Sequence, residues 1–129
     1  MIHPKTGNEI IIDADTMPIK LPNTEQEVFD KVASHLLTQN KKALDEENYC
    51  VYLAPDGCKC AAGCLIPDEQ YVYTIEGSTW SWLKDRGYVE NKHYSLIRRL
   101  QICHDTQKPH EWPSCLEKIA EEFNLEWKF

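Results

Sequence analysis

The sequence predicts an α+β domain, with about four helices packed on a small antiparallel β-hairpin or sheet. Three observations carry that prediction. A capped amphipathic segment begins after Asn23, and three later segments carry helix caps or apolar residues at helical spacing. Two short β-type runs flank an Ala54-Pro55-Asp56-Gly57 turn. One globular unit is expected over residues 23–129, with residues 1–22 as an N-terminal arm or hairpin.

Glu9-Ile10-Ile11-Ile12-Asp13 is a β-branched run, and Thr16 to Leu21 follows it. Pro18 and Pro22 confine any strand there to an edge, because proline has no amide to donate to a ladder. The first helix starts at Thr24, which pairs with Glu27 as a capping box: hydroxyl to a free amide, carboxylate back to the cap. Val28, Phe29, Val32, Ala33, Leu36 and Leu37 then line one face, and Asn40 can take the left-handed geometry that closes a helix. Residues 41–48 are polar and predict a loop.

Tyr49 to Leu53 reads as a strand, Pro55 and Gly57 as its turn, and Cys58-Lys59-Cys60 as the return strand. The small residues of Ala61-Ala62-Gly63-Cys64-Leu65-Ile66 permit close backbone approach, so one buried helical turn is expected before Pro67, and Asp68 to Tyr71 can form another. Ser78 or Thr79 caps a short helix carrying Trp80, Trp82 and Leu83, with Gly87 at its end. Asn91 to Cys103 places Leu96, Ile97, Leu100 and Cys103 on one face. Pro113, favoured at a first helical position, opens a last helix with Leu116, Ile119, Ala120 and Phe123 on its core side.

The 129 residues carry a formal charge of −7, spread over both halves of the chain. Such a field repels phosphate backbones and argues against nonspecific nucleic-acid binding. No segment approaches the ~20 apolar residues of a membrane span, so no membrane partner is expected. The start of the chain lacks a charged-then-apolar signal pattern, so a cytoplasmic location with reduced cysteines is expected.

Cys50, Cys58, Cys60 and Cys64 fall within fifteen residues and are the candidates for a metal site. Their spacing contains no C-x2-C knuckle, so the favoured reading is small buried hydrophobes, with zinc as the alternative. Cys103 and Cys115 lie on apolar helix faces and read as core. His104 follows the apolar stripe of its helix, near the C-terminal end, and Asp105 can orient it. A catalytic reading makes His104 a general base with Cys60 or Cys64 as nucleophile, and the competing reading satisfies His104 by local hydrogen bonds. Arg98 and Arg99 form an adjacent pair able to grip a carboxylate or phosphate, against the plainer reading of a solvated helix face. Trp80 and Trp82 are candidates to stack a planar ligand, as are Trp112 and Trp127. Trp80 and Trp82 cannot both face the core of one helix. Glycine-rich phosphate loops, a serine elbow and a His-Glu-x-x-His pair are absent.

The segment Cys60-Ala61-Ala62-Gly63-Cys64-Leu65-Ile66-Pro67-Asp68-Glu69-Gln70-Tyr71, with the helix Phe29 to Leu37 before it and Glu76-Gly77, Leu100-Gln101, His104-Asp105 and Trp112 after it, resembles a group of small uncharacterised phage and bacterial proteins. The resemblance covers roughly residues 25–125 and implies no particular chemistry. It does imply a phage accessory protein that binds and blocks host machinery.

Two functions remain open at this point. The first is a non-enzymatic interaction protein, phage-encoded, that binds and inhibits a host protein or sequesters a nucleotide-like phosphorylated ligand with no cofactor. A cleft holding Arg98, Arg99 and an aromatic would favour the ligand. The second is a Cys/His enzyme or zinc protein built on Cys60, Cys64, His104 and Asp105, which requires those side chains to converge. The sequence sets no oligomeric state.

Overall fold

The capping box forms as the sequence predicts. In the computed structural model, which describes residues 18–129, Glu27 N donates to Thr24 Oγ1 at 3.1 Å and Thr24 N donates to Glu27 Oε1 at 3.2 Å. These bonds open α1 (Glu25–Gln39), which buries Val28, Phe29, Val32, Ala33 and Leu36. Asn40 closes it at φ 50°. Three more α-helices follow: α2 (Trp80–Asp85), α3 (Tyr94–Thr106) and α4 (Trp112–Glu122). Single 3-10 turns occupy Gly63–Leu65, Asp68–Gln70, Tyr73–Ile75 and Pro109–Glu111.

The α+β expectation is overturned. Among the described residues the chain is mostly helical and contains no strand or sheet, only isolated bridges: Ile19 with Val89, Leu44 with Cys50, and Leu53 with Lys59. The turn at Ala54–Cys58 does reverse the chain, with Gly57 N donating to Ala54 O at 2.9 Å and Ala54 N to Cys58 O at 2.8 Å. What stops it from growing is side-chain competition for backbone amides. The Glu76 carboxylate accepts Tyr52 N at 2.9 Å and Leu53 N at 3.1 Å, and Gln39 Oε1 accepts Lys59 N at 2.9 Å. Tyr52 N is thus withdrawn from pairing with Cys60, and the outward-facing Leu53 and Lys59 amides are met by side chains where a third strand would dock, so no sheet forms. Glu9–Asp13 and most of the expected 1–22 arm lie outside the described residues. Of the Thr16–Leu21 run, Ile19 makes one parallel bridge beside Tyr88 and Glu90.

The core gathers the apolar faces of α1, α3 and α4, with Ile19, Phe29, Leu36, Leu100, Trp112 and Leu116 among its buried side chains. Gly63 lets the Gly63–Leu65 turn seat against the chain reversal. A Cβ at that position would lie 2.1 Å from the Tyr52 carbonyl oxygen, a distance no side chain can occupy. The C-terminal segment returns to α1: Gln26 and Glu126 exchange two hydrogen bonds, and Trp127 packs edge-on to Phe29 with ring centres 6.2 Å apart.

Helix α3 starts three residues later than its sequence pattern suggests. His93 precedes it in a left-handed conformation, φ 56°, with its Nε2 bonded to Pro22 O at 2.9 Å. The helix then runs past Cys103 to Thr106, so His104 and Asp105 lie inside its last turn. No helix among the described residues is long and apolar enough to cross a membrane.

Candidate functional site

Helix α3 has two stripes. Leu96, Ile97, Leu100, Cys103 and His104 are buried, while Tyr94, Arg98, Gln101 and Asp105 recur at helical spacing beside them. The second stripe forms one wall of a cleft of about 430 Å³. Across it stand Cys50 and Tyr52 from the chain reversal, and Glu76, Ser78 and Trp80 from the segment leading into α2. Its size falls in the range of small-molecule sites.

Asp105 organises the rear of the cleft. His104 Nδ1 donates to Asp105 Oδ1 at 2.8 Å, and Gln101 Nε2 donates to the same oxygen at 2.8 Å. Gln101 Oε1 in turn accepts Ala62 N at 2.8 Å, which ties the small-residue segment to α3. Burial pushes the Asp105 carboxyl up in pKa, and the hydrogen bonds from His104, Cys50 and Gln101 outweigh that and hold it below its ordinary value. Burial and the Asp105 carboxylate together push the Cys50 thiol up to about 11. That thiol stays protonated at neutral pH and is a poor nucleophile.

His104 is fully buried and stacks on Trp112 at 5.5 Å. Its Nε2 accepts the Ala43 amide at 3.1 Å. An N–H donor there requires a lone pair on Nε2, so the ring proton sits on Nδ1 and is given to Asp105. Both nitrogens are therefore engaged.

The structure does not assemble the predicted Cys/His constellation. Cys60 Sγ accepts Gly63 N at 3.2 Å, Cys64 Sγ donates to Ala61 O at 3.1 Å, and neither bonds to His104. Burial pushes the Cys64 thiol up to about 12 and raises that of Cys60 further. Of the four clustered cysteines, Cys50 alone joins a possible metal-binding group among the described residues. Cys50, His104 and Asp105 bring one sulfur, one nitrogen and one oxygen within 4.8 Å of one another, a set that could hold a metal ion. Cys58 instead lies beside Asp56.

The predicted ligand-binding residues divide in the same way. Arg98 and Trp80 line the cleft. Arg99, one residue on, is turned by about 100° around the helix and pairs with Glu122 of α4 at 3.1 Å. Trp82 leaves the cleft to stack under Arg86 at 4.8 Å. Arg98 has no ion-pair or hydrogen-bond partner among the described residues. Glu76, Ser78, Tyr94 and Gln101 were missing from the sequence-derived site. The spacing Tyr94, Arg98, Gln101, Asp105 was the signal that could have found two of them, since it marks one polar helix face bordering the apolar one. No protein-family model, curated protein or solved structure matches the chain.

Proposed function

We propose that this protein is a non-enzymatic binding module that captures a small, planar, phosphorylated ligand of nucleotide-like shape in the cleft beside α3. Arg98 carries the reading. It lines the same cleft as Trp80 and Tyr94, and its charge is unpaired among the described residues, whereas Arg99 is neutralised by Glu122. A guanidinium without an internal partner next to aromatic faces suits a ligand with one anionic end and one flat end. The raised thiol pKa values at Cys50 and Cys64 weigh toward binding over covalent catalysis. Its setting in this reading is the cytoplasm, that of a bacterial host if the protein is phage-encoded. Inhibition of a host protein is the competing outcome, for which Tyr49, Val72 and Tyr73 supply exposed apolar contact.

Thermal shift and calorimetric titration with nucleotides and sugar phosphates test it. A ligand at a hundred times its Kd stabilises the fold by about 2.7 kcal/mol, which a melting curve resolves. Arg98→Ala is expected to abolish the shift, and Arg99→Ala to leave it in place. Equal loss in both variants, or no ligand in the panel, removes the reading.

Zinc at Cys50, His104 and Asp105 is the second reading, favoured by the convergence of three ligand types. It demands that Nδ1 give up its proton, which leaves a protonated Nε2 facing the Ala43 amide 3.1 Å away. Native mass spectrometry of protein purified without chelator decides between the two. A stoichiometric zinc that is lost in Cys50→Ser would establish the metal, and a zinc-free mass would end that reading.

A further inference from the structure

Among the described residues three buried side-chain polar atoms have no hydrogen-bond partner: Ser78 Oγ, Trp80 Nε1 and Trp112 Nε1. Such atoms are rare in native proteins because each costs the desolvation of a donor with nothing in return. Two of the three belong to residues lining the cleft, and they are two positions apart in the segment entering α2. Ser78 and Trp80 are 8 % and 6 % exposed, so bulk water does not satisfy them. Both atoms can donate, and their residues line the same cleft as Arg98.

Two carboxylates share the lining. The Glu76 oxygens are engaged by Tyr52 N, Leu53 N and the Tyr71 hydroxyl. Asp105 is held ionised by the groups around it. With Arg98 the lining charge is therefore −1, in a chain whose total formal charge is −7. A polyphosphate would meet stronger repulsion there than a monophosphate, whose smaller charge Arg98 offsets more fully.

We infer that the cleft selects a nucleoside 5′-monophosphate, binding its phosphate at Arg98 and the acceptor atoms of its base edge with the Ser78 hydroxyl and the Trp80 indole N–H. The inference rests on the proposed ligand-binding function and adds the ligand class and the residues that read it. A heteroaromatic base offers ring nitrogens and carbonyl oxygens to two neighbouring donors and a flat face to the aromatic wall. A sugar phosphate offers no such flat edge.

The test is calorimetric titration with adenosine, guanosine, cytidine and uridine 5′-monophosphates, ATP and inorganic phosphate, against wild type and Ser78→Ala. At least one monophosphate is expected to bind wild type about tenfold or more tighter than ATP and inorganic phosphate, and Ser78→Ala to weaken that monophosphate by about tenfold. Ser78→Ala removes a hydroxyl that has no partner in the unliganded protein. Its unliganded melting temperature is therefore expected to equal or exceed that of wild type, a stability gain coupled to a binding loss. Monophosphate binding that survives unchanged in Ser78→Ala would show that the hydroxyl does not read the ligand, a variant that melts lower would show that the hydroxyl is already satisfied in the unliganded protein, and either would overturn the inference alone. Tighter binding of ATP would overturn the monophosphate selection. Failure of every probe on wild type would take the ligand-binding function down with it.

Discussion

Removing the Glu76 carboxylate should cost this protein a large part of its stability. Three donors converge on it: Tyr52 N at 2.9 Å, Leu53 N at 3.1 Å and the Tyr71 hydroxyl at 2.7 Å. Hydrogen bonds to a charged acceptor contribute ~1.5–3 kcal/mol each. Glu76 is half-buried, so water can re-solvate part of what is exposed, and the lower end applies. Glu76→Ala is therefore expected to lose about 4 kcal/mol, a large share of the ~5–15 kcal/mol typical of a folded domain. Glu76→Gln keeps one oxygen but turns an amide N–H toward a donor, and about 2 kcal/mol should go. Urea unfolding followed by tryptophan fluorescence measures both. A loss below about 1 kcal/mol in Glu76→Ala would refute the argument that this side chain, and not a ladder, satisfies the 52–53 backbone.

Other perturbations test separate parts of the structure. Gly63→Ala would put a methyl 2.1 Å from the Tyr52 carbonyl, so the variant should lose ~3 kcal/mol or fail to fold, as read by urea midpoint or soluble yield. Burial lowers the His35 pKa below 6.5 in the folded chain. The unfolded chain therefore binds more protons there, and stability should fall as pH drops through and below about 6.5. That slope should flatten in His35→Gln, and an unchanged slope would remove His35 as its source. At pH 8 the Cys50 thiol, held at about 11 against an ordinary 9.0, has about a hundredfold less thiolate than a free cysteine. Because higher-pKa thiolates are better nucleophiles, the net slowing of iodoacetamide alkylation should be about tenfold. Asp105→Asn should recover part of that loss. Fast labelling of Cys50 in the wild type would contradict the carboxylate contact.

Much of α1 was written in adjacent residues. Thr24 meets Glu27 three positions away, and its apolar face repeats every three or four, so the physics that forms the helix acts within one turn. The Thr79 cap of α2 and the apolar faces of α3 and α4 are of the same kind, and so is the turn at Pro55 and Gly57. The expected sheet failed for a reason no local pattern holds. Tyr49 to Leu53 has strand-forming residues, but its amides are taken by Glu76, more than twenty residues away, whose role nothing nearby announces. The site divided on the same line. Arg98 and Arg99 are indistinguishable as neighbours in a sequence, and the packing of α3 against α4 turns one to Glu122 and the other to the cleft. The Ala43 amide fixes the His104 tautomer from 61 positions away, and Gln101 holds Ala62 from 39. Local sequence determined which segments are helices and where α1 and α2 are capped, because those energies act between residues within a turn. Only the tertiary structure decided which polar side chains satisfy distant backbone, and therefore which were left to face a ligand.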